Sequence, residues 1–91
     1  MLGKVKLALR ISHNALDSEI GDLIDAARHD LMLSGISSIK AKDDTDPLIK
    51  RSIIIYVKAN FINDSKEAER FQTAYNLLKN HLTLAGDYTS A

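Results

Sequence analysis

No cysteine occurs among the 91 residues, which rules out a disulfide framework and a cysteine-ligated zinc site and suits an intracellular origin. There is one proline and there are four glycines, so the few breakers carry much of the organisation. Charge of one sign is also lacking, because 12 Lys and Arg stand against 12 Asp and Glu. That balance argues against gripping nucleic acid by bulk charge, since domains that do so are usually clearly basic. The longest uncharged apolar run, Ile53-Ile54-Ile55-Tyr56-Val57, is far too short to span a bilayer, so no membrane contact is expected. Lys4, Lys6 and Arg10 would interrupt a signal-peptide core. What is present is ordinary globular composition, 45% hydrophobic and 26% charged, and not that of a disordered chain. A chain of 10.1 kDa fits one domain, residues 1–91, whose core is marginal by size alone.

The spacing of apolar residues predicts an all-α fold, a small bundle of about four helices. In the first segment, Leu2, Val5 and Leu9 share a helical face, yet Val5, Leu7, Leu9 and Ile11 also alternate as a strand would. The helix formers Lys4, Lys6, Ala8 and Leu9 favour a short helix over 2–10, with Arg10–Ser12 extended. Leu16, Ile20, Leu23, Ile24, Ala27 and Leu31 form one stripe, which predicts a helix over 14–34. Asn14 would cap it with Asp17 three residues on, and Asp17, Glu19 and Asp22 sit at the positive end of its dipole. Gly35 and Ile36 have the makings of a Schellman ending. Asp46-Pro47 opens a third helix, 47–62, apolar on nearly every side and therefore central. Lys50, Arg51 and Lys58 mark its wet edge. Asp64 with Glu67 opens a fourth, 64–85, striped by Ala68, Phe71, Tyr75, Leu78 and Leu82 and stopped by Gly86. Leu23, Ala27, Ile53, Tyr56, Phe71, Tyr75 and Leu78 are expected in one core. A loop at 37–46 and a short tail, 85–91, are left over. The halves before and after this loop differ slightly in charge, with 6 basic and 8 acidic groups in 1–46 and 6 and 4 in 47–91.

Catalytic chemistry finds little to stand on. His13, His29 and His81 share no i, i+4 spacing, and no H-E-x-x-H occurs. His29, one turn after Asp25, reads as a surface hydrogen bond. Asp43, Asp44 and Asp46 lack the glycine turn and terminal glutamate of a calcium loop and read as a solvated stretch that also caps a helix. Asp22 and Asp25 lie on adjacent turns, where dipole and solubility explain them. Nucleophile-elbow, P-loop and dinucleotide motifs are absent. The short connection before residue 64 admits a helix-turn-helix. However, Lys66 and Arg70 are interleaved with Glu67 and Glu69, which would repel phosphate. No enzyme, cofactor or metal site is expected.

The order "VKLALRIS", "LDSEIGDLIDAARHDLMLSGI", "DPLIKRSIIIYVKANF", "ERFQTAYNLLKNHL" resembles the head–tail connector (adaptor) family of tailed phages and prophages, from about Val5 to Leu84. The resemblance implies an all-helical subunit, made in the bacterial host cytoplasm, that joins copies of itself in a closed ring under the portal protein at the head–tail junction of the virion. Such a ring extends the channel through which DNA passes without sequence-specific binding, and it offers a platform to stopper or tail-completion proteins. The rival reading is a small helical DNA-binding or regulatory protein. Partner contacts are expected first in the leftover segments, at Ile39, Lys40, Lys42, Asp43, Asp44 and Tyr88. Ile39 and Tyr88 have no stripe to join, so these segments are expected to be loose in the free subunit and to order on assembly. The second candidate is the Lys50, Arg51 and Lys58 edge against Asp17, Glu19 and Asp22 of a neighbouring copy.

Overall fold

Each of the four apolar stripes becomes a helix, and most of their ends follow the local capping chemistry. The computed structural model describes residues 1–89, with α1 (Leu2–Leu9), α2 (Asp17–Leu33), α3 (Ser38–Ala41), α4 (Pro47–Phe61), α5 (Ser65–Leu84) and α6 (Gly86–Thr89), and no strand among them. The Asp46 carboxylate accepts the Leu48 and Ile49 amides at 2.9 and 3.2 Å and starts α4 at the proline. Asp64 does the same for Lys66 and Glu67 at the head of α5. α2 ends in a Schellman motif. Gly35 takes a positive φ of 108°, its N–H donates to Met32 O, and the Ile36 N–H donates to Leu31 O.

Three ends depart from expectation. α2 begins at Asp17, not Asn14, because Lys6 of α1 takes both residues: its ammonium donates to Asn14 Oδ1 at 2.9 Å and pairs with Asp17 at 2.8 Å. α1 closes on a left-handed Arg10 (φ 59°, ψ 41°) instead of extended backbone. There the Ile11 N–H donates to Lys6 O, so an arginine fills the position usually given to glycine, at a cost of roughly 1–2 kcal/mol. Gly86 does not stop α5. The break is an extended Ala85, and Gly86 instead opens α6.

α4 is the hub and packs against α1, α2 and α5. Ile49, Ile53 and Val57, spaced by four, are fully buried, and Ser52 and Ile55 bury a second side. The Ser52 hydroxyl satisfies itself by donating to Leu48 O at 2.8 Å. Val5, Ile20, Ile24, Ala27, Leu31, Tyr75 and Leu82 close over it from the neighbouring helices. Ala27, Ile53 and Tyr75 are buried as expected, while Leu23, Tyr56, Phe71 and Leu78 pack partly buried around them. Full burial of each isoleucine or leucine contributes about 1.5–3 kcal/mol.

Two polar ties join elements far apart in sequence. The Tyr75 ring is edge-on to Tyr56 at 5.1 Å, and its hydroxyl donates to Asp30 Oδ2 at 2.6 Å. Lys79 reaches the same oxygen at 3.1 Å. Partial burial pushes the Asp30 carboxyl up, but these two donors outweigh it and hold its pKa below the ordinary value. The second tie fastens the tail. The Tyr88 hydroxyl donates to Asp46 Oδ2 at 2.8 Å, and the Ser37 N–H donates to Tyr88 O at 2.8 Å. Lys40 lies 3.7 Å from Asp46 and 5.2 Å from the centre of the Tyr88 ring. The leftover segments are thus fastened to each other, and 37–46 contains a helical turn capped by Ser37. Residues 90 and 91 of the expected tail lie outside the described residues.

Replacing Tyr75 by Phe removes a hydrogen bond to a charged acceptor and should destabilise the fold by about 1.5–3 kcal/mol in chemical denaturation at pH 7. Because the folded Asp30 pKa is depressed, this contribution is complete above the ordinary aspartate value and is lost as pH falls through the folded one. The Tyr75→Phe difference should therefore shrink in strong acid and stay flat from pH 6 to 8. Asp46→Ala should cost about 0.5–2 kcal/mol through the lost cap. It should also accelerate amide exchange at Ser37 along with Leu48, because the tail loses its anchor at the same time.

Candidate functional site

The expected contact residues fall into three groups. Within 37–46, several side chains are already spent inside the subunit. Asp44 pairs with Arg28 at 2.8 Å and lies 3.9 Å from the N-terminal ammonium, while Arg28 also donates to Ala41 O. Asp43 accepts from the Thr45 amide and hydroxyl, and those bonds hold its pKa below the ordinary value. Lys40 and Tyr88 belong to the Asp46 tie. Burial and the Asp46 hydrogen bond push the Tyr88 hydroxyl pKa up. Lys42 is exposed, and Ile39 projects from α3 with 76% of its surface in solvent. Of this group, Ile39 is the large apolar side chain offered outward.

The second group is the wet strip of α4. Pro47, Lys50, Arg51 and Ile54, together with Lys4 from α1, line an open cleft of about 300 Å³. Lys4 shares this cleft with Lys50, and its like charge holds the Lys50 pKa below the ordinary lysine value, with Asp44 pulling the other way. Arg51 is exposed beside them. Lys58 does not join this cleft; its ammonium sits 5.3 Å from the centre of the Phe71 ring, toward α5. Lys4 was missed in the sequence because 46 positions separate it from Lys50, and no local spacing signals their meeting.

The third group is acidic. Asp17 is occupied by Lys6, as described, whereas Glu19 and Asp22 are exposed on α2. Asp25 continues their stripe, again exposed. Helical spacing carries this outer face on through His29 to Leu33, both exposed. Among the described residues, none of these three carboxylates has a salt-bridge partner, and neither do Lys4, Lys50 and Arg51.

His13 accepts from the Ala15 amide, and His29 and His81 are exposed on separate helices. Among the described residues there is no group of three or more His, Asp or Glu side chains arranged to hold a metal ion. A shallow groove of about 410 Å³ on α5 is lined by Lys66, Glu69, Arg70 and Thr73, where opposite charges alternate. No described helix is long and apolar enough to cross a membrane.

No curated protein and no solved structure matches the chain. A family model does, over residues 1–89, and it describes a phage connector protein. That family is structural, not enzymatic, and implies a virion component that meets other phage head or tail proteins. With nearly every residue inside the match, the chain belongs to the phage connector protein family.

Proposed function

We propose that this protein is the head–tail adaptor subunit of a tailed phage or prophage. Copies join in a closed ring beneath the portal, lengthen the DNA channel and present a platform to a stopper or tail-completion protein. The chain is made in the host cytoplasm and ends up at the head–tail junction. The observation that carries this reading is the family match over residues 1–89. Neutral overall charge fits a channel wall, because such a wall does not trap passing DNA by releasing counterions. A small core also favours stabilisation by neighbouring subunits.

Ile39 is the residue proposed to meet the portal. It stands on α3, whose position is set from behind by Arg28 and by the Tyr88–Asp46 tie, so a small apolar knob is held on a braced support. A regulator that reads DNA would need an unbroken basic face. On α5 the outward Lys66 and Arg70 alternate with Glu67 and Glu69, and Arg70 lies 3.9 Å from Glu67.

Native mass spectrometry of the protein mixed with its portal ring should give a complex carrying many copies of the 10.1 kDa chain. A species of twice that mass, unaffected by portal, would instead support the regulator. Ile39→Asp should leave helicity unchanged and weaken portal association about tenfold, the loss expected from roughly 1.4 kcal/mol of apolar contact. A mobility-shift assay at physiological salt should show no tight or sequence-dependent binding of duplex DNA; such binding would overturn the adaptor reading.

A further inference from the structure

Among the described residues, two clusters of like charge and opposite sign have no salt-bridge partner within the subunit. One is the cleft where Lys4, Lys50 and Arg51 crowd over Pro47 and Ile54. The other is the outer face of α2, with Glu19, Asp22 and Asp25. Elsewhere some cations are paired within the subunit, with Lys6 on Asp17, Arg28 on Asp44 and Lys79 on Asp30, while Arg10, Lys42, Lys58 and Lys66 stand singly with no salt-bridge partner among the described residues. Lys4, Lys50 and Arg51 differ in sharing one cleft, with no carboxylate in salt-bridge range of any of them among the described residues.

We infer that the acidic face of α2 in one copy docks into the basic cleft between α1 and α4 of the next. This rests on the self-assembly proposed above and names its contact. Three positive groups face three negative ones, so the surfaces match in number as well as sign, and together they leave the net charge at zero. A carboxylate entering the cleft offsets the Lys4–Lys50 repulsion further than the distant pull of Asp44 within the subunit does. Different patches meet, so the contact is head to tail, the kind that propagates from copy to copy and closes when the rotation permits. The earlier pairing expected from sequence changes membership: Asp17 leaves because Lys6 holds it, Lys58 leaves because it faces Phe71, and Lys4 and Asp25 enter. A DNA phosphate is the competing occupant. The observations favour a second copy, because the complementary surface is present in the same chain and three cations make too short a track for a duplex.

The test uses the whole chain, alone at high concentration and on its portal ring. An equal mixture of unlabelled and ¹⁵N-labelled protein is treated with a carbodiimide, which joins an amine to a carboxylate only when they touch. Mixed-isotope peptides linking Lys4 or Lys50 to Glu19, Asp22 or Asp25 are the expected product. In parallel, Lys50→Glu with Arg51→Glu should weaken self-association at least tenfold at low salt, and so should Glu19→Lys with Asp22→Lys. The chain carrying all four changes should regain it, because the charges are exchanged and not removed. All variants should keep the parent's helicity, since the altered side chains are at the surface. Mixed-isotope links found only elsewhere, or a four-residue exchange no better than either pair, overturn the contact while leaving the ring intact. A duplex mobility shift that Lys50→Glu with Arg51→Glu abolishes, with self-association unchanged, overturns it in favour of nucleic acid. Links at these positions in a complex of only two copies keep the contact and overturn the ring. A parent that stays at 10.1 kDa with and without portal overturns both.

Discussion

The constraint on which this fold depends is that α4 has almost no face fit for water. Its isoleucines and valine point in several directions around the helix, so one neighbour cannot cover them. Helices α1 and α2 close one part of its surface and α5 closes another. The strip from Pro47 through Lys50, Arg51 and Ile54 to Lys58 stays at the edge, and off it Leu48 and Asn60 are exposed near the two ends. This explains why β-branched residues, otherwise good strand formers, are tolerated in a helix here. Burial of each side chain at about 1.5–3 kcal/mol exceeds the few tenths of a kcal/mol of lost helix propensity.

The same constraint explains where polar ties are needed. Because α2 and α5 both lean on α4, their relative position is held in part by the Tyr75–Asp30–Lys79 cluster at the edge of the core. A tyrosine there supplies both a ring for Tyr56 and a hydroxyl for the carboxylate, which an aliphatic residue could not do. Asp46 has a comparable double role. One carboxylate caps α4 and receives Tyr88, so the start of the central helix and the end of the described chain share a fixed point.

Local chemistry was the legible part of the sequence. Asp46-Pro47, Asp64 with Glu67, and Gly35-Ile36 act within a few residues, and each does what its spacing implies. The apolar stripes were legible for the same reason, as one helix turn repeats a short pattern. What misled was competition from afar. Asn14 is a good cap in isolation, but Lys6 reaches it from the preceding helix. Tyr88 looked stranded because its partner lies 42 residues earlier. The site suffered most, since surfaces are made where elements meet: Lys50 and Arg51 could be seen on one helical edge, but not that Lys4 completes it. The family resemblance supplied what spacing could not, and the match over 1–89 establishes it.

A connector has to put its neighbours in the right place, and charge is suited to that task. Exposed ion pairs contribute little to affinity, typically below about 1 kcal/mol each, but they penalise wrong orientations by setting like charges together. A chain with zero net charge that carries the acids of the proposed contact on α2 and its bases on α1 and α4 is therefore attracted weakly in general and specifically in one orientation. In the proposed ring such a surface would also leave passing DNA alone, since its cations would face a partner's carboxylates. In the proposed contact, apolar strength is kept for the core and for isolated knobs such as Ile39, while orientation is set by charge. On that proposal, the division would let a subunit with a small core join its neighbours in a single register.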